Sequence, residues 1–198
     1  GLSSINKVLE EDFFYSCANA GIEKVEISET VDVTESLNYV ELGKLAQKND
    51  VDLWSLHLPF KHHDISGKNA DDIVASHSEL IKRGAEGGVK VFVVHPSRGP
   101  MEDWQRAEKI ERSKESLFEL TNVAKENGGV LAVENMTGGG LGYCYEEFKQ
   151  LLTAHQDLRV CLDTNHLVGE NLCDFIYKIG NRLVTTHISD FDLIEERH

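Results

Sequence analysis

Val89-Lys90-Val91-Phe92-Val93-Val94-His95-Pro96 is a short apolar run that stops on an imidazole. A run this rich in Val is what a parallel strand covered on both faces looks like, and Pro96 ends its ladder. Four more stretches share the pattern: 51–56 stops on His57, 130–133 on Glu134, 158–162 on Asp163 and 183–186 on His187. One strand ending in a His or Glu means little. Five of them, spaced by one strand–helix unit, mean more, because the strands of an α/β barrel all end in one mouth. Three imidazoles and two carboxylates in one mouth are a metal-binding set.

The segments between these runs read as helices. Gly21, Gly87-Gly88 and Gly128-Gly129 stop apolar-periodic stretches that begin near Asn6, Ala70 and Asp103, and a further helix runs from about Thr34 to Asn49. Ala107, Ile110, Leu117, Leu120 and Ala124 share one helical stripe. Shorter helices are expected over 145–155 and 171–179, and strands over 1–4 and 22–28. Alternating strand and helix builds a parallel sheet. Six or seven units, each with a polar residue at the strand end, favour a (β/α)8 TIM barrel over an open sheet. An open sheet feeds its ligand site from two or three strands. The expectation is α/β, a single domain over 1–198, with the barrel's eighth strand lying beyond His198.

A chain of 198 residues with 40% hydrophobic and 27% charged content suits one soluble globular domain. No apolar run approaches the ~20 residues that span a bilayer, and the start shows no secretory signal. A net charge of −14 disfavours a nucleic-acid partner. Cys17, Cys144, Cys161 and Cys173 form no C-x-x-C pair and suggest no disulfide framework, which fits a reducing, cytoplasmic compartment. There is no G-x-G-x-x-G after the first strand and no phosphate loop, so no nucleotide cofactor is expected.

His57-Leu58-Pro59-Phe60, His95-Pro96-Ser97, Glu134-Asn135, Asp163-Thr164-Asn165-His166 and His187-Ile188-Ser189-Asp190 occur in this order at barrel spacing. The series resembles the xylose-isomerase-like TIM barrel superfamily. That superfamily holds sugar (phosphate) isomerases and epimerases, and also the endonuclease IV group. The resemblance to the isomerase branch implies one divalent ion held by Glu134, Asp163 and His187, with a fourth ligand from strand eight, past His198. Oxygen ligands plus one imidazole suit Mn, Mg or Zn. The same resemblance implies that His166 contacts substrate in epimerases or a second metal in endonucleases. It implies that His57 and His95 hydrogen-bond sugar hydroxyls or bind further zinc. The plain alternatives are a carboxylate capping the next turn at Glu134 and Asp163, a structural imidazole at the rim for His57 and His95, and a surface loop residue for His166.

Glu26, near the end of the second strand, could reach the mouth as a substrate contact, with an exposed position or a role behind a ligand equally open, and Asp190 could orient an imidazole or simply occupy a turn. His62 and His63 read as loop residues and His77 as a packed one. Gly138–Gly142 could let a backbone approach a phosphate, although a plain flexible loop fits better. The expected function is metal-dependent isomerisation or epimerisation of a sugar or sugar phosphate by proton transfer through an enediolate. Glu134 would be the base and His166 would stabilise the oxyanion. The alternatives are an endonuclease IV-like zinc phosphodiesterase and a catalytically inactive sugar-binding barrel. The partner expected is a small sugar, with neither nucleic acid nor membrane, and with homo-oligomerisation left open.

Overall fold

The computed structural model of the chain describes residues 1–5, 7–28, 30–167 and 169–188. Its strands are β1 (Leu2–Ser3), β2 (Lys24–Ile27), β3 (Asp52–His57), β4 (Val91–Val94), β5 (Val130–Glu134), β6 (Arg159–Asp163) and β7 (Leu183–His187). The helices are α1 (Glu11–Asn19), α2 (Val31–Ser36), α3 (Tyr39–Lys48), α4 (Ala70–Glu86), α5 (Asp103–Glu126), α6 (Tyr145–Leu151) and α7 (Leu172–Ile179). All strand pairs are parallel, and the order is β1-β2-β3-β4-β5-β6-β7. A sheet whose spatial order follows the chain has no switch point, so the barrel reading holds and the doubly wound alternative falls.

The sheet is strongly curled. His187 on β7 and Glu26 on β2 are five positions apart in the sheet, which a flat sheet would separate by about 24 Å. Their side chains meet at 3.0 Å. The concave side therefore gathers residues from both ends of the sheet into one mouth.

Two apolar clusters mark the two faces. Val25, Ile27, Leu53, Leu56, Phe92, Val94, Leu131, Val133, Val160 and Leu162 join the helices in the large core. Val91, Val93, Ala132 and Cys161, with Trp54, Val130 and Val184 against them, form the small inner cluster. Alternation along β4, β5 and β6 then turns Glu134 and Asp163 to the inner face.

On β3 and β7 simple alternation would fail. Leu53 and Leu183 pack on the helix side, so a strict period of two would send Ser55, His57, Thr185 and His187 there as well. Each strand carries an extra residue. Val25 pairs with Leu53 but Glu26 with Ser55, leaving Trp54 over. Val160 pairs with Leu183 but Cys161 with Thr185, leaving Val184 over. A bulge reverses the phase of everything beyond it. Both His57 and His187 owe their inward direction to it.

Several boundaries differ from expectation. The helix expected from Asn6 starts at Glu11, and Asn6 lies outside the described residues. The helix expected over 34–49 is two helices, broken where Leu37 adopts an extended ψ of 136°. Asn38 caps the second by accepting from the Glu41 N–H at 3.2 Å. A polar cap at that point satisfies donors that a continuous helix would bond internally. The α5 start is fixed by a reciprocal cap between Glu102 and Gln105. No helix among the described residues is long and apolar enough to cross a membrane.

Candidate metal centre at the barrel mouth

Glu134 ends β5 and is 1% exposed. Imidazoles surround its carboxylate. Oε2 lies 3.2 Å from His57 Nε2 and 3.3 Å from His95 Nε2. Oε1 lies 3.2 Å from His187 Nδ1 and 3.5 Å from His166 Nδ1. His166 sits on a short 3-10 turn, Thr164–His166, rather than in an open loop. The Asp163 side chain caps that turn by accepting from the Asn165 N–H at 2.8 Å. His166 Nε2 is 3.7 Å from Asp163 Oδ2. Every strand-end residue singled out in the sequence is in this cluster; Asp190 lies outside the described residues.

The hydrogen bonds behind the rings fix their proton positions. His57 Nδ1 is 2.9 Å from the Leu58 carbonyl. His166 Nδ1 is 2.8 Å from the Asn135 carbonyl. His187 Nε2 is 3.0 Å from Glu26 Oε1. Carbonyls and carboxylates only accept, so each of these nitrogens carries the N–H. The other nitrogen of each ring faces a carboxylate: Glu134 for His57 and His187, Asp163 for His166. A neutral ring would there set a lone pair against an oxygen lone pair. The arrangement calls for a positive charge between them, either a second proton or a cation.

The proton affinities follow. Burial works against a charged His57 and a charged His187. For His57 the hydrogen bond and charge of Glu134 outweigh it and raise the ring's pKa. For His187 the bonds to Cys161, Glu134 and Glu26 do the same. His95 goes the other way, because burial dominates its contact with Glu134. Burial alone would raise Glu134, but the His95 charge and the imidazole hydrogen bonds hold it well below the usual carboxylate range.

A divalent ion suits this donor set. Ligand atoms about 2.1 Å from a first-row ion stand about 3–3.5 Å from one another. The separations of 3.2 Å from Glu134 to His57 and to His187 match such an edge. Among the described residues, two groups each bring three ligand atoms within 4.8 Å of one another: His57, Glu134 and His187, and Glu134, Asp163 and His166. The expected trio of Glu134, Asp163 and His187 is thus spread over two overlapping groups that share Glu134.

Further residues support the cluster. Asn135 clamps β5 to β6, donating to the Asp163 carbonyl at 3.0 Å and accepting from its N–H at 2.8 Å. Ser55 donates to Glu26 at 2.7 Å. The Cys161 thiol is buried on the inner face, and burial pushes its pKa up to about 12. Phe60, 42% exposed, lies against the His57 and His95 rings at centroid distances of 5.0 and 4.6 Å. Period two could have found Cys161, two before Asp163, and Ser55, two before His57.

Three N–H groups of the glycine-rich loop are bonded within the protein: those of Gly140, Leu141 and Gly142 go to the Thr137 carbonyl, Ser97 and Glu147. A Cβ on Gly99 would come within 2.8 Å of the Gly139 backbone, so glycine there serves loop packing. His77 is a packed residue as expected, bonding the Pro59 carbonyl at 3.0 Å.

Residues 14–198 match the family described as xylose isomerase-like TIM barrel. An uncharacterised protein of Methanocaldococcus jannaschii is 24% identical over 186 residues, which cover 83% of this chain and 71% of that protein. The crystal structure of a D-tagatose 3-epimerase-like protein superposes with a TM-score of 0.75 at 22% identity, covering 86% of this chain and 68% of the other. The apo crystal structure of 3-keto-D-glucoside 4-epimerase from E. coli gives 0.77 at 15% identity, covering 96% and 78%. At these identities the structural likeness speaks to the fold.

Proposed function

Because this chain belongs to the xylose isomerase-like TIM barrel family, we propose that it is a divalent-metal-dependent isomerase or epimerase of a sugar or sugar phosphate. The observation that carries the reading is the mouth itself. Three imidazoles have one nitrogen committed as a donor and the other turned toward Glu134 or Asp163. Glu134, Asp163 and His187 would hold the ion, which is Mn, Mg or Zn on the chemistry of the donors. When bound, the ion supplies Lewis-acid polarisation of a substrate carbonyl.

The chain's own groups do the rest. Glu134, kept ionised by its imidazoles, takes the proton from the carbon beside the carbonyl. The electron pair left behind moves onto the carbonyl oxygen and gives an enediolate. Return of the proton to the neighbouring carbon, with that carbon's hydroxyl proton passing to the former carbonyl oxygen, is isomerisation; epimerisation needs a second acid, on the face opposite Glu134, to deliver the proton there. His166, whose Nδ1 proton goes to the Asn135 carbonyl, would meet the developing oxyanion through Nε2. His57 and His95, beside Phe60, face substrate hydroxyls. The fold neighbours that carry epimerase names, acting at carbon 3 in one and carbon 4 in the other, support a keto sugar as the substrate class.

One observation favours a second reading. Glu134 divides its oxygens, Oε2 toward His57 and His95 and Oε1 toward His166 and His187. A carboxylate so placed suits a bridge between two ions, as a zinc phosphodiesterase needs. The net charge of −14 weighs against a nucleic-acid substrate. Metal analysis after chelation and reloading decides between the readings. One ion per chain supports the isomerase or epimerase, two or three support the phosphodiesterase, and none leaves a sugar-binding barrel.

A further inference from the structure

Glu26 is engaged on both sides. His187 Nε2 lies 3.0 Å from Oε1 and 3.2 Å from Oε2, and the Ser55 hydroxyl donates to Oε2 at 2.7 Å. Glu26 and Ser55 are direct register partners, set side by side by the β3 bulge. The β7 bulge turns His187 inward to meet them. The two irregularities of the sheet thus lie beneath the two ends of one link across the mouth.

We propose that Glu26, held by Ser55, is a positioning residue for His187: it accepts the Nε2 proton and so presents Nδ1, 3.2 Å from Glu134 Oε1, to the divalent ion. The proposal rests on the metal-dependent reading above. A neutral imidazole has one N–H, and a carboxylate can only accept it. With Glu26 present, the N–H stays on Nε2 and the lone pair on Nδ1. Without it, Glu134 draws the N–H onto Nδ1 and the ring is free to turn, which spoils the ligand. Acceptors that orient ligand imidazoles are worth about 10- to 100-fold in metal affinity.

The test is a cycle of Zn2+ and Mn2+ affinities, read by chelator competition on the full chain at fixed pH. Glu26→Ala should weaken binding about 10- to 100-fold. Glu26→Gln, which keeps an acceptor oxygen, should recover most of the loss. In a His187→Ala background, removing Glu26 should cost nothing further. Equal weakening with and without His187 overturns the proposal, since Glu26 would then act on the ion directly. So does Glu26→Ala binding as tightly as wild type. If Glu26→Ala does not fold, Glu26→Asp, which withdraws the carboxylate by one methylene, is read in the same cycle. A wild type that binds neither ion sinks both the metal-dependent reading and this proposal. A wild type that binds the ion and shows the coupling, yet converts no sugar, sinks the sugar reading and leaves Glu26 in its role.

Discussion

Glu134 Oε1 stands 3.2 Å from His187 Nδ1, although the two residues end strands two places apart in the sheet. A flat sheet would hold them about 10 Å apart. Curling, and the bulge at Val184, bring them together. The separation would suit two donors on one ion, and the same contact with Glu134 raises the affinity of the His187 ring for a proton. Metal uptake should therefore release protons. Calorimetric titration of the ion in buffers of different ionisation enthalpy counts them, and uptake without proton release would contradict the arrangement.

Glu134→Gln should remove most ion binding, at least about 100-fold in affinity, given that a ligand matters no less than the groups that orient it. It should also abolish proton transfer, because the amide is no base. Chelator competition and a sugar-conversion assay check the two effects separately. Ion content and conversion equal to wild type would remove Glu134 from both roles.

His95 and His187 should behave differently. His187→Ala should cost ion affinity. His95→Ala should leave one ion bound and raise KM more than it lowers kcat, as loss of a hydroxyl contact does. Loss of an ion in His95→Ala, counted by elemental analysis, would instead favour the two-ion reading.

The acid limb of stability should carry the mark of His77. Burial, with the neighbouring His63 and His57 charges, lowers its pKa from 6.5 to about 3. The unfolded chain then binds more protons between these values. Its contribution is present in full above about pH 6.5 and is lost as pH falls toward 3. His77→Gln, which keeps a donor for the Pro59 carbonyl, should flatten this limb by about 1 kcal/mol per pH unit or slightly more. Urea unfolding of both proteins from pH 7 to 4 gives the difference; parallel curves would refute it.

Arg106 holds the buried Glu147 through two bonds of 2.8 Å and also donates to the Gly140 carbonyl at 2.7 Å. Glu147 in turn accepts from the Gly142 N–H. Arg106→Ala should leave that carboxylate buried without its counter-charge, at a cost of about 3–5 kcal/mol. Urea unfolding reads the change, and a loss below about 1 kcal/mol would show the pair to be solvated.

The five strand-end residues were legible because an apolar run stopping on His57, His95, Glu134, Asp163 or His187 is a one-dimensional signal. The helices α4 and α5 were legible for the same reason, with glycines closing them. The break at Leu37 was not, since it is set by the cap at Asn38 and by packing from other elements. Glu26 stands open in the sequence between a substrate contact and a supporting role, because sequence gives a strand's end and not what stands across the barrel. The partner is His187, 161 positions away, and two bulges are needed to bring them face to face. Bulges leave only a faint trace, such as Leu53, Leu56 and Leu58 breaking the period of two.

The central claim is proton transfer beside a sugar carbonyl at a metal-loaded mouth. The most direct measurement is proton NMR of a panel of keto sugars and their phosphates incubated in D2O with the full chain, loaded with Mn2+, Mg2+ or Zn2+ in turn. The account predicts deuterium entering at the carbon next to the carbonyl of at least one sugar, with a new epimer or isomer appearing, and neither change in Glu134→Gln or in the chelated protein. No exchange with any of the three ions would contradict it.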